Sequence, residues 1–180
     1  MPTTRFPVTA MRALLEIAPG QLSRLLLCLP PGAEGWSDGP GRWSIHQVVA
    51  HLADIEESEA GWVPRLAHLL ACSPGPLPRV DNRLRLPAYA ALPLGDLLTR
   101  FADARRRSLE RLDAWSLGPD ALDRVGHHPD RGAVRVAELL STWTLHDLDH
   151  LAQIVRIVGA HGAGDAGPLA PYLRICQPVS

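Results

Sequence analysis

The sequence has no lysine; all 18 basic side chains are arginine. That excludes a Schiff-base lysine and a phosphate loop whose lysine reaches the β- and γ-phosphates. Cysteine is scarce as well. Cys28, Cys72 and Cys176 are odd in number and far apart, so they form neither a CxxC pair nor a disulfide framework. Unpaired thiols suit a reducing compartment, which makes the cytoplasm the expected location. No run approaches about 18 apolar residues, so no membrane span is expected. The first residues lack the apolar segment of a signal peptide. Charge of one sign is also missing. With 18 basic and 19 acidic side chains the net charge is −1, and nucleic acid is not an expected partner. At 180 residues, 46% of them hydrophobic, the expectation is one globular domain over residues 1–180.

What is present is helical periodicity. Val8, Met11, Leu15, Leu22, Leu25, Leu26 and Leu29 recur near a 3.6-residue spacing. Pro19-Gly20 implies either a kink there or a short helix followed by a new start, and Pro30-Pro31-Gly32 ends the segment. Ser44 with Gln47 three residues on matches a capping box. From there Ile45, Val48, Val49, Leu52, Ile55, Trp62, Leu66, Leu69 and Leu70 continue a second helix to about Ala71, kinked at Pro64. Five prolines over residues 72–93 imply a long crossover connection that is neither helix nor central strand. A third helix is expected over residues 94–115. Its inner stripe includes Leu97, Leu98, Phe101 and Leu112. Arg100, Arg105, Arg106, Arg107 and Arg111 read as its solvated face, paired with Asp103, Glu110 and Asp113. Residues 116–133 read as a loop, and a fourth helix is expected over residues 136–158 with Gly159 as its C-cap. The expected fold is all-α: a four-helix bundle with a long crossover between the second and third helices.

Histidine is the abundant chemical group, with 8 copies. His146 and His150 stand one turn apart, where two imidazoles can bind one transition metal. Leu139, Trp143, Ile154 and Ile157 occupy the same broad side of that helix, so both rings should face inward. His51 lies three residues after Val48 and four before Ile55, also on the core side. Three inward histidines on two helices each need a partner, and one divalent transition metal satisfies all three. Three ligands and an open position are the catalytic arrangement. Asp54, Asp147, Asp149 and Gln153 are candidates to hydrogen-bond the imidazole N–H groups. The three aspartates also read as solvated groups or arginine partners. His46 and His161 read as solvated, and His68 lies near a helix end. His128 is the loop histidine placed to reach a substrate.

These stretches carry a resemblance. Trp43-Ser44-Ile45-His46-Gln47-Val48-Val49-Ala50-His51-Leu52-Ala53-Asp54 and His146-Asp147-Leu148-Asp149-His150-Leu151-Ala152-Gln153-Ile154 resemble the DinB/YfiT-like superfamily of four-helix-bundle metalloproteins. The resemblance spans about residues 8–160. It implies His51, His146 and His150 as ligands of zinc or nickel, with water completing the site, and a homodimer. His128-Pro129-Asp130-Arg131-Gly132 resembles a stretch of the bacillithiol-transferase branch, although Asp149 stands where that branch often has a histidine. The implied function is a metal-dependent enzyme, either a transferase using a low-molecular-weight thiol such as bacillithiol or mycothiol as cosubstrate, or a hydrolase acting on a small molecule. The alternative is a non-enzymatic, stress-associated metal-binding bundle. His146-Asp147-x-x-His150 also mimics the HExxH motif, but no glutamate follows Glu138 to complete such a site.

Overall fold

A computed structural model describes residues 6–78 and 86–177. The chain is a four-helix bundle built from α1 (Val8–Leu27), α2 (Ile45–Glu57) continued by α3 (Trp62–Ala71), α5 (Leu94–Ala114) and α7 (Val136–Ala166). A short helix, α4 (Leu86–Ala90), lies in the crossover, and a single turn, α6 (Pro119–Leu122), precedes the last two strands of a small sheet. That sheet has the order β1 (Gly75–Pro76), β2 (Val125–His128), β3 (Gly132–Arg135). β1 runs parallel to β2, with Gly75 opposite Gly126; β2 and β3 form a hairpin with His128 opposite Gly132. No helix among the described residues is long and apolar enough to cross a membrane.

Pro19 sits inside α1, which runs on through it as one helix. At the start of α2 the capping box forms as the Ser44–Gln47 spacing predicts. Ser44 Oγ accepts from the Gln47 backbone N–H at 3.3 Å, and Gln47 Oε1 accepts from the Ser44 backbone N–H at 2.9 Å. The second helix differs from expectation. It does not kink at Pro64 but breaks at residues 58–61, and Pro64 falls at the third position of α3. There its missing N–H is one that has no intrahelical partner anyway. Gly61 makes the break possible: a Cβ there would lie 2.2 Å from the Ile55 carbonyl oxygen. The crossover does contain a helix, α4, and its proline-bearing strand β1 stays at the sheet edge, where Pro76 withholds no central ladder bond.

The fourth helix is longer than its apolar periodicity. Gly159 is not a cap; it lies inside α7, which continues to Ala166. The reason is tertiary. A Cβ on Gly159 would lie 2.4 Å from Ile175 Cγ1 and 2.5 Å from the Ile175 carbonyl oxygen, so the C-terminal turn Arg174–Cys176 packs directly on the helix backbone. Gly159→Ala is therefore expected to destabilise the protein. The helix gains about 0.5–1 kcal/mol in propensity, but overpacking against backbone costs about 1–3 kcal/mol. Thermal melting checks the sign, and a raised Tm would mean that the turn is not docked there.

Two apolar clusters fill the bundle. One gathers Met11, Leu15, Ile55, Leu109, Leu112, Leu140 and Trp143. The other gathers Leu22, Val48, Leu52, Leu97, Phe101, Ile154 and Ile157. Along α5 the residue between them is Arg105, and along α7 it is the stretch 146–150. A polar belt thus crosses the bundle between two greasy halves.

Candidate metal centre

The belt has two parts that touch. The first is a buried ion cluster. Arg105, read from sequence as solvated, is 1% exposed. Its Nε and Nη2 donate to Glu56 Oε1 and Oε2 at 3.1 and 2.9 Å, and its Nη1 donates to Asp147 Oδ2 at 2.6 Å and to the Leu15 carbonyl at 2.8 Å. Trp143 Nε1 donates to Glu56 Oε2 at 3.3 Å. The guanidinium also lies 4.9 and 5.1 Å from the ring centres of Phe101 and Trp143. Burial disfavours the charge on Arg105, but Glu56 and Asp147 outweigh it and hold the proton more tightly than usual. Asp147 is likewise disfavoured by burial, yet Arg105 and then His146 hold its carboxyl below the usual range. The other arginines of the run keep the expected wet face: Arg106 pairs with Glu110 at 3.1 Å and Asp103 at 3.6 Å, all well exposed.

The second part is the histidine cluster. α2 presents His51; α7 presents His146 and His150 from successive turns. Their Nε2 atoms converge: His146 Nε2 is 3.0 Å from that of His51 and 3.2 Å from that of His150. The three ligand atoms all lie within 4.8 Å of one another. Ligands about 2.0–2.1 Å from one tetrahedral ion stand about 3.3 Å apart, so the donor set fits a divalent transition metal. The rings are tilted or edge-on to each other, with centroids 4.4–5.1 Å apart. Trp43 lies 5.0 Å from the His51 ring, and Trp62 meets the His146 ring edge-on at 5.1 Å. His51 is buried, whereas His146 and His150 are half-buried.

The expected supporting residues divide. His150 Nδ1–H donates to Gln153 Oε1 at 2.9 Å, which leaves Nε2 free to coordinate. His51 Nδ1 and His146 Nδ1 have no hydrogen-bond partner among the described residues. The three aspartates therefore do not bond the imidazoles. Asp147 Oδ1 lies 3.9 Å from His146 Nδ1, beyond hydrogen-bond reach, because its other oxygen is committed to Arg105. Asp54 is buried on α2, and Asp149 lies on the exposed side of α7. His128 ends β2, where its Nδ1 accepts from the Asp130 backbone N–H at 3.1 Å; it makes no ring contact with the cluster. Of the two histidines expected to be solvated, His46 is partly buried and His161 is exposed, and each has a partner. His46 Nε2–H donates to the Leu92 carbonyl at 2.8 Å, and His161 stacks on Trp36 at 4.5 Å. Trp43, Trp62, Glu56 and Arg105 were not expected at the site. Of these, Arg105 had a sequence signal in its place four residues from both Phe101 and Leu109, and Trp43 opens the stretch that carries the family resemblance.

Residues 14–154 match the model of the DinB superfamily. The chain belongs to the DinB superfamily. YfiT from Bacillus subtilis, described as a probable metal-dependent hydrolase with an unusual four-helix bundle topology, is similar in structure. Its TM-score is 0.75 at 19% identity, covering 90% of this DinB chain and 93% of that one. A mycothiol-dependent maleylpyruvate isomerase is similar at a TM-score of 0.58 and 18% identity, over 87% of this chain and 69% of the other. At these identities the likeness is one of fold. No curated protein matches the chain.

The electrostatics of this DinB cluster predict a pH dependence for the metal-free protein. Burial first, then repulsion from His146 and His150, pushes the His51 pKa down to about 3. Burial also lowers His150. An unfolded histidine titrates near 6.5, so between about pH 6.5 and pH 3 the unfolded chain binds protons that the folded chain refuses. Stability is full above about pH 6.5 and falls on acidification, with a slope approaching about 1.4 kcal/mol per pH unit for each such proton. Urea unfolding of chelator-treated protein at pH 7.5 and 5.5 checks it; His51→Gln is expected to flatten the slope.

Proposed function

We propose that this chain is a metal-dependent enzyme that activates a small molecule at the three-histidine centre, His51, His146 and His150 being the ligands and zinc or nickel the ion. The observation that carries the reading is the convergence of three imidazole nitrogens, two of them on half-buried rings. An ion held there supplies Lewis acidity, which lowers the pKa of a thiol or water that reaches it. The chain's own residues do the rest. Gln153 fixes the His150 tautomer by accepting its Nδ1–H. Trp43 and Trp62 wall the cluster with apolar surface that keeps bulk water off two sides. The Arg105 ion cluster anchors the turn of α7 that carries His146.

The finer reading is transfer of a low-molecular-weight thiol, of the bacillithiol or mycothiol type, to an electrophile. Cys28 and Cys72 are exposed but belong to no cluster with the histidines, so a nucleophilic sulfur would come from outside the chain. Hydrolysis by water is the second reading, favoured by the likeness to YfiT. The test combines elemental analysis with an assay of thiol consumption. Purified protein is given bacillithiol, mycothiol, glutathione or cysteine with a monochlorobimane-type electrophile, before and after chelation. Metal-dependent consumption supports the transferase. Metal uptake without any thiol turnover, but with ester or amide cleavage, supports the hydrolase. Metal uptake with neither leaves a non-enzymatic metal-binding bundle.

A further inference from the structure

Three buried polar atoms at three-residue intervals along α3 have no hydrogen-bond partner among the described residues: Trp62 Nε1, Arg65 Nε and His68 Nε2. Each unsatisfied buried donor costs about 1–3 kcal/mol. Such a row marks a place where something outside the chain makes the bonds.

Arg65 carries the most information. It is only 7% exposed. No carboxylate among the described residues pairs with it, unlike Arg105, which is still more buried and held by two. Burial alone pushes its pKa below the usual arginine value. A guanidinium nevertheless keeps its proton in a protein, so the charge needs an anion or water. Its surroundings point to the metal centre. Arg65 Cζ lies 5.9 Å from the Trp62 ring centre, and that same ring meets His146 at 5.1 Å. A single indole separates the unpaired cation from the histidine cluster.

We propose that Arg65 binds an oxyanion group, carboxylate or phosphate, on a small molecule whose other end reaches His51, His146 and His150. The planar fork of arginine suits either group bidentately. Only the second half of this statement rests on the metal-centre reading; the anion site stands on Arg65 alone.

The test titrates succinate and inorganic phosphate, with succinamide as the neutral control, into the full chain in chelated and zinc-loaded forms. Calorimetry and tryptophan fluorescence, to which Trp62 contributes, report binding. At least one anion is expected to bind while succinamide does not. Arg65→Gln is expected to weaken that binding about tenfold to a hundredfold, and Arg65→Lys to keep part of it. Arg65→Gln is also expected to melt no lower than the natural protein, because it removes a largely buried charge with which no carboxylate among the described residues pairs. Unchanged anion affinity in Arg65→Gln, or no binding of either anion in either form, overturns the proposal. A lowered Tm with unchanged affinity does so too, by making Arg65 structural. Arg65-dependent anion binding in protein that takes up no zinc upholds this inference and removes the metal-centre reading. Zinc uptake without anion binding does the reverse.

Discussion

Arg105→Met is expected to cost about 3–5 kcal/mol of stability, the range seen when one member of a buried ion pair is removed. The magnitude follows from what is left behind. Glu56 and Asp147 are 8% and 5% exposed, and Arg105 makes two charge-assisted bonds to the first and one to the second. Without the guanidinium two carboxyl groups face each other across a dry belt, and Leu15 loses a donor to its carbonyl. Arg106→Met, one residue on, is the control. Its pairs with Asp103 and Glu110 lie in water, and exposed pairs contribute about 0–1 kcal/mol. Urea denaturation of both variants at neutral pH distinguishes them. Adding Glu56→Gln and Asp147→Asn to Arg105→Met is expected to recover part of the loss, because replacing a buried ion cluster whole costs far less than breaking it. A cost below about 1 kcal/mol for Arg105→Met would mean that the belt is hydrated.

Much of the bundle is legible in the sequence because its helices are amphipathic and well separated by proline and glycine. The capping box at Ser44 is legible for the same reason: it is a local bond, settled by two residues three apart. What escaped is non-local. The β2–β3 hairpin holds no run of β-branched residues, and His127-His128-Pro129 reads as loop; the strands exist because they pair with each other and with β1. The last two turns of α7, rich in glycine and alanine, carry no apolar stripe. Their support is the docked C-terminal turn at Ile175. The site shows the same division. His146, His150 and His51 could be placed from helical phase alone, and Gln153 from its spacing to His150. The walls contributed by Trp43 and Trp62 depend on how α2, α3 and α7 meet, which no spacing records. Arg105 was misread because it sits among four other arginines, although its phase matched Phe101 and Leu109.

His146→Ala is expected to abolish metal binding. His146 is the hub of the cluster, since its Nε2 lies within 3.2 Å of both other ligand atoms, whereas the remaining pair are not within hydrogen-bond distance of each other. Removing it leaves His51 on α2 and His150 on α7, two ligands from two helices, which is too few for a stable tetrahedral site. Partners that only orient a ligand change metal affinity about 10–100-fold, and that is the loss expected of Gln153→Leu. Loss of the hub ligand should exceed it, falling below detection at micromolar zinc. Folding should survive, because His146 is only partly buried and its removal relieves the repulsion that lowers His51 and His150. Thermal shift separates the two effects. Zinc at about a thousand times its Kd stabilises a binding-competent fold by about 4 kcal/mol. The natural protein is therefore expected to gain several degrees with zinc. Gln153→Leu should gain the same only at higher zinc, and His146→Ala should gain nothing. A zinc-induced shift of equal size in His146→Ala would place the ion elsewhere and dissolve the three-histidine centre.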